Sequence, residues 1–104
     1  MPAADLDLDR VGLYTYDPER NMALGTYGTD DKGQLQDEHH LKIIIASPGG
    51  MWKSMNSPDR FFYEEQGPVY HNNRIVGAGS RVAITLRDGN RVLGWLVADN
   101  YLHQ

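Results

Sequence analysis

The chain has 104 residues, 40% hydrophobic and 23% charged, with a formal charge of −4. That is ordinary globular usage with room for one modest core, and it argues against a disordered chain or two independent cores. No lysine or arginine run follows a phosphate backbone, no apolar stretch approaches a membrane span, and there is no cysteine, so direct nucleic-acid binding, a transmembrane helix and thiol or thiolate-metal chemistry are set aside. The acidic start "MPAADLDLDR" does not read as a secretory signal, which makes the expected location cytoplasmic.

"VGLYTYD", Val11 to Asp17, alternates aromatic and β-branched residues and reads as a strand. "DPERN" supplies turn chemistry, and "MALGTYG" follows as the return arm of a hairpin. Asp30 to Gly33 fit a tight turn with the glycine in the left-handed position. "LKIIIA", Leu41 to Ala46, carries three successive isoleucines and reads as a third strand buried on both faces. "SPGG" breaks the chain at Ser47 to Gly50.

Ser57 and Pro58 resemble an N-cap followed by proline at the first helical position, predicting a short helix from about Pro58 to Glu65. "VYHNNRIVGAGS" reads as an irregular connection, its glycines a bend into the next strand. "RVAITLRDGNRVLGWLVADN" is a β-hairpin turning at Asp88 to Asn90. Its second arm has apolar residues on both faces, Leu93, Trp95 and Val97 against Val92 and Leu96, as an interior strand requires. The expected architecture is α+β, an antiparallel sheet in one domain spanning residues 1–104. One short helix cannot cover both faces of such a sheet, so the remaining cover is expected from a partner chain or from sequence outside this one.

The stretch "GTYGTDDKGQLQDEHH" raises the question of an ion site. With Gly33 in the glycine slot of a calcium loop, Gly28 and Lys32 occupy ligand positions and His39 stands where the bidentate glutamate belongs, so the template fails. His39 and His40 are adjacent and on a strand would face opposite ways, and a metal site would need His71, His103 or carboxylates brought in by the fold. No metal or cofactor is expected. Asp37 beside His39 can be drawn as an acid–base pair, without a nucleophile or oxyanion hole nearby. "VGAGS" lacks dinucleotide-loop spacing and no Walker lysine follows.

"RVGLYTYDPE", "LGTYGTDDKGQLQDE" and "RVLGWLVADN", in that order, resemble a GAF domain of the bacterial sensory and regulatory type. The resemblance spans about Asp9 to Leu102. It implies a PAS/profilin-like antiparallel sheet with a helix-and-loop lid on one face, and a small-molecule pocket beneath the lid. The sequence departs from the family pattern in lacking the long flanking helices at both ends, which normally cover one sheet face and mediate dimerisation. The cyclic-nucleotide subgroup's Asn-Lys pairing with a downstream Phe and Asp-Glu is not found, and bilin-attaching and sulfoxide-reducing relatives need cysteine.

The resemblance implies a non-catalytic domain for ligand binding or signal transduction in a larger bacterial sensor or regulator, forming a homodimer or contacting flanking domains. Candidate pocket or core residues are Trp52, Phe61, Phe62 and Tyr70 on the lid, and Tyr14, Tyr27 and Trp95 on the sheet. The alternatives are a dimerisation or docking module without a ligand, and a small hydrolase or isomerase using Asp37 and His39.

Overall fold

A computed structural model describes residues 10–30, 32–46, 49–71 and 74–100, with Tyr70 and His71 described by their backbone alone. The strands are β1 (Arg10–Asp17), β2 (Met22–Thr29), β3 (Leu35–Asp37), β4 (Lys42–Ile44), β5 (Phe61–His71), β6 (Arg74–Asp88) and β7 (Arg91–Asp99), and the helix is α1 (Gly50–Asn56). All strand pairs are antiparallel. The order is β3-β2-β1-β7-β6-β5, with β4 also pairing β2. No helix among the described residues is long and apolar enough to cross a membrane.

The first hairpin, the Asp30–Gly33 reversal and the last hairpin form as their turn chemistry dictates. Asp30 Oδ1 accepts the Lys32 and Gln34 amides at 2.8 and 2.9 Å, and Gly33 takes φ 81°, a conformation that only glycine enters freely. β7 lies between β1 and β6, the interior position its two apolar faces require.

Three expectations are overturned. The helix is not Pro58–Glu65 but the preceding Gly50–Asn56. Ser57 to Arg60 instead close a turn, with the Arg60 amide on the Ser57 carbonyl at 3.0 Å and the Asp59 amide on Ser57 Oγ at 3.3 Å. The aromatic run that follows is better served by a pleated surface than by a helix. Pro68 is tolerated in β5 because that strand is at the sheet edge, where a missing N–H breaks no interior ladder.

The supposed irregular connection is instead the end of β5 and the start of β6, paired from Gly67↔Gly79 to His71↔Arg74. Register shifts at Glu64/Gly67 and Val69/Tyr70 show why the pattern read as irregular: bulges break strict alternation. The isoleucine run forms only a three-residue strand at the edge of β2, with Ile45 buried and Ile44 69% exposed, so it is covered on one side rather than two.

Cross-strand register sorts the residues into two faces. On one, Tyr14, Trp95 and Thr85 are in line across β1, β7 and β6, followed by Gly12, Val97, Ala83 and Phe62, and then Arg10, Asp99, Arg81 and Glu64. Helix α1 covers this face. Trp95 is fully buried and its indole Nε1 donates to the Met51 carbonyl at 3.2 Å, while Ser54 Oγ and Thr85 Oγ1, both buried, share a hydrogen bond of 2.8 Å. Ala23, Ile45 and Trp95 form the core cluster, with Tyr16 edge-on to Trp95 at 5.2 Å.

The other face carries the rows Leu13, Leu96, Ile84, Phe61 and Val11, Ala98, Val82, Tyr63. No helix of the described residues lies over it. Val11 and Leu13 are each 44% exposed and Phe61 46%.

Candidate functional site

A cavity of about 330 Å³ lies between the covered face and a cover made of residues 41–46 and α1. That volume is at the lower end of the range that accommodates small-molecule ligands. Its apolar walls come from Ile43, Ile45, Met51 and Trp52 on the cover and from Ala83 and Val97 on the sheet. The cover is fastened at its far end by Asn21, whose side-chain amide donates to the Ile45 carbonyl at 2.9 Å and whose own carbonyl accepts the Ile45 amide at 3.0 Å.

One end of the cavity is charged. Arg10, 5% exposed, makes a two-pronged bond to Asp99, Nε to Oδ1 at 2.9 Å and Nη2 to Oδ2 at 2.8 Å. The parallel fork is the strong form of a guanidinium–carboxylate contact. In the same transverse row Arg81 Nε donates to Glu64 Oε1 at 3.0 Å. Charges of alternating sign therefore cross four strands, from Arg10 on β1 to Glu64 on β5.

Glu38 reaches the same cavity from the turn after β3. Its amide donates to the Thr26 carbonyl at 2.8 Å and its own carbonyl accepts the Leu41 amide at 2.9 Å, which aims the side chain back across the sheet. The carboxylate rests on two glycines paired across β1 and β2, Gly12 and Gly28. A β-carbon at Gly28 would collide with Glu38 Oε1, so this close approach requires the missing side chain. Gln36 Nε2 donates to Oε2 at 2.9 Å. Oε1 is buried and has no hydrogen-bond partner among the described residues.

Tyr14 stands beside this carboxylate. The Tyr14 hydroxyl and Glu38 Oε1 are 3.8 and 3.4 Å from the point where a Gly12 β-carbon would stand. Burial, and then the negative charge of Glu38, push the Tyr14 phenol up to about 12. It is a neutral hydroxyl at physiological pH.

The aromatic candidates divide. Tyr14, Trp52 and Phe62 line the cavity. Trp95 lies beneath it, fully buried in the core. Phe61 and Phe62 are on strand β5 rather than on a lid, and successive strand residues face opposite ways, so Phe61 belongs to the uncovered face. Tyr27 is 53% exposed and meets the His39 ring edge-on at 5.2 Å. Tyr70 lies in β5, its side chain outside the description.

Asp37 and His39 do meet, but on the outside. Asp37 Oδ1 is 2.8 Å from both the His39 amide and Nδ1, and these bonds, the amide first, hold the Asp37 carboxyl below its ordinary range. Both side chains are more than half exposed. The pair closes a surface turn, and neither residue lines the cavity. Among the described residues no group of three or more metal-ligating side chains is present. The His71 side chain and His103 fall outside the description.

Side-chain chemistry in the sequence points to the two neighbours of Glu38 rather than to Glu38 itself. Alternation was the available signal: of three consecutive polar residues, Asp37 and His39 face outward and the middle one inward. Arg10, Asp99 and Arg81 carry no local signal, since only strand register aligns them. No family model, curated protein or solved structure matches this chain.

Proposed function

We propose that the chain is a sensory or regulatory module of the GAF type that binds a small molecule under the segment spanning β4 and α1, without turning it over. The observation that carries this reading is the cavity of about 330 Å³ with apolar walls and a charged end, a combination that suits selective ligand binding. The exposed position of Asp37 and His39 favours binding over hydrolysis by that pair. A ligand touching both sheet and cover favours the arrangement in which they are closed together. It signals to the extent that it discriminates between arrangements, about 1.4 kcal/mol for each factor of ten.

A thermal-shift screen of the purified chain against a metabolite library tests the reading, with native mass spectrometry confirming stoichiometry. A true ligand at a hundred times its Kd is expected to add about 2.7 kcal/mol of stability. A screen without any stabilising compound would overturn it. Self-association is a second reading, favoured by the two apolar rows on the uncovered face.

A further inference from the structure

The geometry points to a ligand that carries a protonated amine on an apolar body, with the Glu38 carboxylate as its counter-charge. This rests on the cavity being a binding site. The reason begins with burial: Glu38 is 7% exposed, and its Oε1 is buried without a hydrogen-bond donor among the described residues. A buried carboxylate oxygen left in that state keeps the cost of its lost hydration, and such groups are rare unless something outside the chain satisfies them.

Among the described residues that line this end of the cavity, Glu38 is the charged side chain without an opposite charge bonded to it. Arg10 is matched by Asp99 and Arg81 by Glu64, while Gln36, the donor to the second Glu38 oxygen, is neutral. Tyr14 brings a neutral hydroxyl, held protonated by its surroundings. The complement to this arrangement is one positive charge with N–H donors. An anionic ligand would meet the opposite situation, since it would stand against the Glu38 carboxylate while both guanidinium groups are already engaged with carboxylates.

The rest of the ligand follows from the walls. Ile43, Ile45, Met51, Trp52 and Phe62 provide aliphatic and aromatic surface with few polar atoms, which suits a hydrocarbon or aryl group. Gly12 and Gly28 put no side chain beside Oε1, so the carboxylate packs flat against bare backbone while Glu38 still lines the cavity and sets its negative charge at that wall.

Three probes with one aryl body and different heads separate the possibilities: phenethylamine, phenethyl alcohol and hydrocinnamate. Each is titrated into the 104-residue chain by heteronuclear NMR, reading the resonances of Tyr14, Trp52 and Ala83. The amine is expected to bind at least tenfold more tightly than the alcohol, and the carboxylate most weakly. Glu38→Gln is expected to lower the amine's affinity at least tenfold, to the level of the alcohol, with circular dichroism confirming the fold.

If the alcohol or the carboxylate perturbs the cavity resonances at least as tightly as the amine, the charge assignment is overturned and the cavity reading stands. If no probe and no library compound perturbs them, both fall together. The probe comparison on the unaltered chain decides the matter even if the Gln variant does not fold.

Discussion

The two faces of this sheet are written in the same alphabet and end in different states. On the covered face Trp95, Ala23 and Ile45 are almost wholly removed from water, and helix α1 contributes a carbonyl to the indole and a hydroxyl to Thr85. On the opposite face Leu13, Leu96, Ile84 and Phe61 align across four strands, and Leu13 and Phe61 remain close to half exposed. Apolar character in a strand therefore marks a surface that favours burial. Whether it is buried depends on which elements return over it.

The comparison is sharpened most by a substitution under the helix. Trp95→Ala removes a fully buried indole and its bond to the Met51 carbonyl, which keeps Ser54 Oγ as a donor. The expected loss is about 3–5 kcal/mol, measured by urea unfolding. A loss below about 1 kcal/mol would mean that α1 does not hold this face closed.

Alkaline titration probes the same face through Tyr14. Its phenol is raised from 10.0 to about 12, so the folded state holds the proton more tightly than the unfolded state. The associated stability is complete below pH 10, declines as pH rises through that interval and is gone above about 12. The full span corresponds to roughly 2–3 kcal/mol. Spectroscopic titration of tyrosinate should reveal one tyrosine ionising late. Equal ionisation of all tyrosines in the folded protein would contradict the enclosure of Tyr14.

The smallest effect is expected on the uncovered face. Leu13→Ser and Leu96→Ser each remove apolar area that is already partly wet, and in the isolated chain the cost should stay near 1 kcal/mol or less. Sedimentation velocity at rising concentration, on the unaltered chain and on the double variant, reads the same surface a second way. Association lost in the variant would assign this face to a second copy. A cost above about 2 kcal/mol without any association would show that the face is covered within the chain.

Much of the sheet was legible from local chemistry. "DPERN", "DDKG" and "RDGN" announce three reversals, and the alternating residues of β6 and β7 announce the arms they join, because turn residues and period-two alternation act over a few neighbours. The long β5–β6 hairpin was not legible. Its two bulges interrupt alternation, and Ser57-Pro58 carries a helix-start signal that the aromatic residues after it override once β6 supplies a ladder. The α+β class survives this exchange because both readings contain one short helix, though in different places.

The candidate site was legible only as a set of aromatic residues. Tyr14, Trp52 and Phe62 were among those named, yet so were Phe61 and Tyr27, which lie elsewhere. Nothing local distinguishes Phe61 from Phe62, since which one faces the cavity depends on β5's pairing with β6. A shift of one residue would exchange them.

The sequence by itself determined the turns, the interior strand β7 and the excess of apolar surface over available cover, since each follows from the conformational limits and solvation of residues close together in the chain. Tertiary structure alone decided that Arg10 meets Asp99, that Glu38 turns inward over two glycines, and that one face closes around a cavity while the other is left bare by the described residues. Those outcomes depend on strand register and on where α1 lands, and both are set by packing between segments as much as 89 residues apart.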